Sequence, residues 1–190
     1  MTPAVRRSIV IPVAAALGIV LCGSALYAYW VFFEHRFATV TPGQMYRSAA
    51  MPPERLVEKV QEHGIRAVID FRTEVDGEAE RSALAALGVK YFRIPSYQRP
   101  TSRDVDTFLE FAAQSENRPL LVHCEHGVGR AVLFSALYRI EFEGWPNERA
   151  RSHAYWGSGL GAFTPDSKKG RFLLDYRRRR SADDREAHLD

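Results

Sequence analysis

Pro119-Leu120-Leu121-Val122-His123-Cys124-Glu125-His126-Gly127-Val128-Gly129-Arg130 is the stretch on which the fold of this chain turns, because a short apolar run meets a glycine-containing loop and then the apolar stretch Ala131 to Phe142. The first run reads as a buried strand; the second, closed by Gly144, is long enough for a buried helix. The loop therefore begins at a strand end and finishes at a helix N-terminus. Cys124 stands where backbone donors and the cation of Arg130 converge, surroundings that favour the thiolate, the nucleophilic form of cysteine. Gly127 and Gly129 let the chain curl, so that the amides of Glu125, His126, Gly127, Val128 and Gly129 turn inward on a tetrahedral oxyanion. Arg130, first in the helix, closes the ring with a bidentate contact to two of the oxygens. The plainer alternatives are a buried structural thiol for Cys124 and an ordinary core histidine for His123.

Outward from this loop, short strands alternate with helical stretches, which predicts an α/β fold with a central, mostly parallel sheet flanked by helices. Phe37 to Thr41 and Gln44 to Arg47, separated by Pro42-Gly43, are expected to pair as a hairpin. Pro53 to His63 reads as a helix ending at Gly64, and Ala67 to Phe71 as a buried strand. A helix over Glu78 to Leu87, a strand over Tyr91 to Ile94 and a helix over Thr101 to Gln114 follow. The last opens with a Thr-x-x-Asp capping pattern and turns Val105, Phe108, Leu109 and Ala112 to the core. Pro146 starts another helix, and Ser167 to Arg179 is the final one.

Of the 190 residues, 46% are hydrophobic and 26% charged, with a net charge of +3; a disordered or collagen-like chain is excluded. Only Cys22 and Cys124 are cysteines, too few for a disulfide scaffold. No residue from Ser8 to Phe33 is charged. At ~1.5 Å per residue, Ile9 to Phe33 reaches about 37 Å against a hydrocarbon layer of about 30 Å. The expected organisation is thus a membrane anchor over residues 1–36, with a helix at about 9–33, one globular domain over 37–180 and a polar tail over 181–190. Arg6 and Arg7 precede the apolar run, while Glu34, His35 and Arg36 nearly cancel after it. The positive-inside rule then leaves the N-terminus in the cytoplasm and the globular part outside, as in a single-pass protein of a bacterial inner membrane. Arg177 to Arg180 read as a solvated helix end or tail, or as a patch for anionic headgroups. Nothing in the chain matches a nucleic-acid module, and no nucleic-acid partner is expected.

His-Cys-x-x-Gly-x-x-Arg, here His123 to Arg130, is the signature of the cysteine-dependent tyrosine and dual-specificity phosphatases, and the sequence resembles that superfamily. Pro42 to Ser48, Gly64 to Arg72 and Gly88 to Tyr91 are similar to the compact bacterial and fungal dual-specificity-like members, so the resemblance spans roughly Phe37 to Ile140. It implies a phosphocysteine on Cys124, formed by in-line attack on a phosphomonoester and hydrolysed by water, with no metal and no cofactor. It also implies a phosphorylated protein or lipid as substrate, and a His123 that shapes the nucleophile by bonding to the loop backbone.

The resemblance breaks in two places. The family pattern Trp-Pro-Asp-x-x-x-Pro carries a general acid, whereas Ile94-Pro95-Ser96-Tyr97-Gln98-Arg99-Pro100 has Ser96 at the aspartate position, and a serine hydroxyl is too weak an acid for that task. Glu125, Asp104, Asp106 and Asp166 are the candidate replacements, with Glu125 favoured because it adjoins the nucleophile. Ala131 stands where the family usually has a hydroxyl residue that helps the thiolate depart. Two other readings therefore stay open: a pseudophosphatase that binds phosphate with little turnover, and a sulfurtransferase with a rhodanese-like loop.

Overall fold

The structure, a computed structural model, describes residues 3–75, 77–158 and 161–179; the expected tail at 181–190 lies outside them. It divides into two units, residues 1–36 and 37–190. The first is one helix, α1 (Pro3–Phe32). Within it Val13–Phe32 is long and apolar enough to cross a membrane by length and composition, a test that an N-terminal signal sequence also passes. The helix starts ahead of the apolar run, at a proline, which the first turn accepts because an N–H there, the donor proline lacks, would have no intrahelical partner.

The second unit is a three-layer α/β structure. Its sheet comprises β1 (Ala38–Thr41), β2 (Met45–Ala49), β3 (Ala67–Asp70), β4 (Lys90–Arg93) and β5 (Leu120–Cys124), in the order β1-β2-β5-β3-β4. Only the β1–β2 hairpin is antiparallel; β5 lies parallel between β2 and β3. The helices are α2 (Pro53–His63), α3 (Glu78–Ala85), α4 (Ser102–Ala113), α5 (Arg130–Phe142), α6 (Asn147–Ser158) and α7 (Lys168–Leu174). Gly64, at φ 61°, ends α2 in the left-handed conformation that glycine adopts without strain. Thr101 and Asp104 close a reciprocal capping box on α4, as their spacing predicts.

Two-residue alternation along the strands builds two separate cores. Leu121 and Val68 face α2 and α3, with Leu56, Val60 and Leu84. Leu120, Val122, Ile69 and Phe71 face the opposite layer, where Phe108 of α4 and Phe134 of α5 complete an aromatic cluster. The Phe71 and Phe134 rings stack at 4.0 Å, and Phe108 meets Phe134 edge-on at 5.0 Å. Each such buried ring contributes roughly 2–3 kcal/mol. Because of the same alternation, Cys124 shares the α5 face, while His123 points toward the α3 side with Asp70, its register partner on β3.

The last helix is shorter than expected, ending at Leu174 and not at Arg179. The chain leaves the helix because other partners replace its backbone ladder. The Arg179 amide donates to the Glu141 carboxylate at 2.9 Å, which also accepts from the Tyr176 hydroxyl at 2.6 Å. Arg178 donates to the Gly144 and Trp145 carbonyls, and Arg179 pairs with Asp106. Two members of the arginine run are thus tied to the globular unit, although both lie at its surface.

Candidate active site

The Cys124 loop lies at the carboxyl end of the central strand, where open parallel sheets leave a crevice for ligands. Cys124 closes β5 with 2% of its surface exposed, and Arg130 opens α5, so strand, loop and helix N-terminus follow one another as the sequence predicts. Gly127 has φ 66°, and a Cβ there would meet the Ala49 nitrogen at 2.6 Å. The loop packs that closely on the end of β2. Two acceptors at its start, the Cys124 and Glu125 carbonyls, take the Ala50 amide at 2.8 and 3.3 Å. Arg47 of β2 adds a brace, donating to the Gly127 carbonyl at 3.0 Å and to the Gly157 carbonyl on α6 at 3.1 Å. The loop is held by neighbouring backbone on the side away from the cleft.

Arg130 is oriented by two carbonyls. Its Nη1 donates to Phe71 at 2.6 Å and to Ser96 at 3.1 Å, and its Nε and Nη2 have no protein partner among the described residues. A guanidinium fixed along one edge presents the other as a two-pronged donor for an oxyanion. The Phe71 carbonyl is in turn set by a buried polar cluster behind the loop. Arg72 grips Asp70 with its backbone amide at 2.8 Å and its side chain at 2.9–3.0 Å, and reaches Glu80 at 2.7 Å; Tyr91 donates to Asp70 at 2.8 Å and to Glu80 at 3.2 Å. Burial pushes the Asp70 pKa up, but Arg72 first, then His123 and Tyr91, outweigh it and hold it below the usual value. For Glu80 burial prevails, and its pKa is raised.

His123 completes this cluster, with Nδ1 3.9 Å from Asp70 and Nε2 3.4 Å from Glu80. Neither ring nitrogen makes a hydrogen bond of good geometry, so the expectation that His123 bonds to the loop backbone is corrected: strand alternation turns the ring away from Cys124. Burial, only partly opposed by Asp70, lowers its pKa to about 4, leaving the ring neutral at pH 7. Asp70, Glu80 and His123 bring ligand-type atoms within 4.8 Å of one another. The Arg72 guanidinium already supplies the positive charge for both carboxylates there.

Above Cys124 opens a cleft of about 360 Å³ lined by Thr73, Glu74, Ser96, Tyr97, Gln98, His126, Val128, Gly129, Arg130 and Lys169. The favoured acid, Glu125, is exposed and lines an adjoining hollow that shares Thr73, Glu74, His126 and Arg130 with the cleft over Cys124. Ser96 is fully buried and its hydroxyl donates to Asp104 at 3.3 Å. Asp104 is engaged in the α4 cap, Asp106 with Arg179, and Asp166 sits in a separate groove, 3.5 Å from Arg171. Glu74 is the carboxylate that does line the cleft, on the loop after β3, and the sequence reading passed over it. It passed over Lys169 as well, whose ammonium comes from α7. Neither carries a local signal: one lies in an ordinary polar loop, the other in a common Lys-Lys pair.

A family model described as DSP-PTPase phosphatase fused to NAD+ kinase matches residues 43–158. The dual specificity protein phosphatase TpbA of Pseudomonas aeruginosa is 32% identical over 108 residues, which are 56% of this chain and 47% of that protein; the chain spans about half the length of the curated relatives it matches. The crystal structure of P. aeruginosa TpbA is 25% identical with a TM-score of 0.62, covering 83% of this chain and 92% of the other. The core catalytic domain of the PP-IP phosphatase Siw14 from S. cerevisiae, solved with citrate, superposes with a TM-score of 0.65 at 18% identity, covering 74% and 85%.

Proposed function

The chain belongs to this family of DSP-PTPase phosphatases, and we propose that it hydrolyses phosphomonoesters through a phosphocysteine on Cys124. The observation that carries the reading is the joint placement of a buried thiol at the end of β5, a loop curled over it, and a guanidinium held by two carbonyls with its other edge free. A phosphoryl group seated on the loop receives the amides of residues 125–130 and the Nε and Nη2 of Arg130. The Cys124 thiolate attacks phosphorus in line; the bond to the leaving oxygen breaks, and that oxygen departs with the bonding pair and takes up a proton. Water then attacks the phosphocysteine, releasing inorganic phosphate and returning the thiolate.

The site favours aryl over alkyl esters. A phenolate with a pKa near 10 leaves with little help, whereas a serine or lipid alkoxide needs a proton in the transition state, and Ser96 supplies none. Tyr97, 75% exposed at the mouth of the cleft, offers a ring against which an aryl group can stack. Phosphotyrosine is therefore the proposed substrate, with α1 as a membrane anchor and the globular unit outside the cytoplasm, following the arginines ahead of the apolar run. Buried Ala131 and Ser96 also support the second reading, a phosphate-binding module with little turnover. Phosphate release from an aryl phosphate by the full chain in detergent micelles tests the choice. Activity that Cys124→Ser abolishes upholds the phosphatase; release no faster than that variant's refutes it.

A further inference from the structure

The negative charge assembled in this cleft exceeds what the signature loop can balance. Under the proposed chemistry, which this inference rests on, a phosphomonoester dianion meets a thiolate, three negative charges in a space closed on one side by the sheet. Arg130 brings one positive charge. The loop side chains bring no lysine or arginine, since Glu125 and His126 occupy the positions after the cysteine. Arg72 is committed to Asp70 and Glu80.

α7 supplies what is missing. Ser167 caps that helix by accepting the Gly170 amide at 3.0 Å, and a Cβ at Gly170 would strike the Thr164 carbonyl at 1.8 Å, so the first turn is pressed against the preceding loop. This seats the Lys169 ammonium over the signature loop: it lies 3.5 Å from where a Cβ on Gly129 would be, and 5.8 Å from the centre of the Phe163 ring. The side chain is half-buried, lines the cleft with Cys124 and Arg130, and has no carboxylate or hydrogen-bond partner among the described residues. Burial lowers its pKa, Cys124 pulls the opposite way and Arg130 adds to the lowering, the pattern of a cation that shares a site with both. A half-buried ammonium without a partner is costly unless an anion joins it.

We propose that Lys169 is a substrate-binding residue, the second cation of the site, which donates to a non-bridging oxygen of the phosphoryl group that Arg130 holds from the other side. Its neighbour Lys168 is exposed and lines the separate groove with Arg171, so it serves as the control.

The experiment measures affinity for inorganic phosphate by calorimetry on the full chain in detergent micelles, in the Cys124→Ser background, together with kcat and KM for an aryl phosphate in the wild-type background. Losing one charge-assisted contact to a desolvated oxyanion weakens binding about tenfold or more. Lys169→Met is expected to weaken phosphate binding and raise KM by that factor, Lys169→Arg to restore most of it, and Lys168→Met to change neither. Lys169→Gln, closer in polarity, repeats the test if the methionine variant folds poorly. Unchanged phosphate affinity in Lys169→Met and Lys169→Gln overturns the proposal, as does a fall in kcat with KM and phosphate affinity intact. A chain that binds phosphate but releases none from the ester refutes the phosphatase reading alone, and Lys169 is then judged on phosphate affinity. A Cys124→Ser chain that binds no phosphate overturns both.

Discussion

Lowering the pH from 7 toward 4 should destabilise the globular unit through His123. The ring is buried and neutral in the folded protein, with a pKa of about 4 against 6.5 for an exposed histidine; burial is the main cause, Arg72 adds to it and Asp70 opposes it. Between those two values the unfolded chain binds a proton that the folded protein refuses. Stability from this group is therefore complete above pH 6.5 and is lost as the pH falls, at about 1.4 kcal/mol per pH unit, to about 3 kcal/mol near pH 4. Glu80, whose pKa is raised, works in the other direction and Asp70 in the same one, so the effect is read as a difference between proteins. Urea unfolding of the full chain in non-ionic micelles, followed by tryptophan fluorescence at pH 6.5 and 4.5, would be compared with His123→Asn. The wild type should lose about 2–3 kcal/mol more than the variant over that interval. Equal losses, or an imidazole signal that titrates near 6.5 by NMR, would refute the assignment of a neutral, desolvated ring.

Gly127→Ala forces a left-handed backbone on alanine and drives its methyl group into the Ala49 nitrogen; activity toward an aryl phosphate should fall at least a hundredfold, with about 2 kcal/mol lost in unfolding free energy from strain and displacement, and near-wild-type turnover would refute the close packing. Glu74→Gln and Glu125→Gln should each leave hydrolysis of a nitrophenyl ester within about threefold of wild type, because proton donation matters only for a poor, alkyl leaving group; a loss of about tenfold or more confined to an alkyl ester in either variant would give that carboxylate the acid role and refute the aryl preference drawn from Ser96. Phe134→Ala removes the ring that stacks on Phe71 and meets Phe108, and should cost about 3–5 kcal/mol by chemical denaturation. A loss below 1 kcal/mol would mean that the cluster under the signature loop collapses without strain.

Much of this molecule is local in origin and so is legible along the chain. The spacing from Cys124 to Arg130, between a β-type apolar run and a helical one, fixes a strand, a curled loop and a helix N-terminus in that order. Glycine at 64 and the Thr101 to Asp104 box end and start helices through hydrogen bonds made within a few residues. Two-residue alternation even separates Cys124 from His123 across the sheet. The rest required contacts between segments distant in sequence. The carbonyls that aim Arg130 belong to Phe71 and Ser96, on two different loops. Glu125 adjoins the nucleophile in sequence yet lines the adjoining hollow, while Glu74 and Lys169 reach the cleft from the loop after β3 and from α7. The arginine run leaves its helix because Glu141, Asp106 and the carbonyls after α5 compete for it. Hydrophobic periodicity and turn chemistry act over a few residues, whereas the direction of a side chain at the cleft depends on how whole layers pack, and only the folded structure decides that.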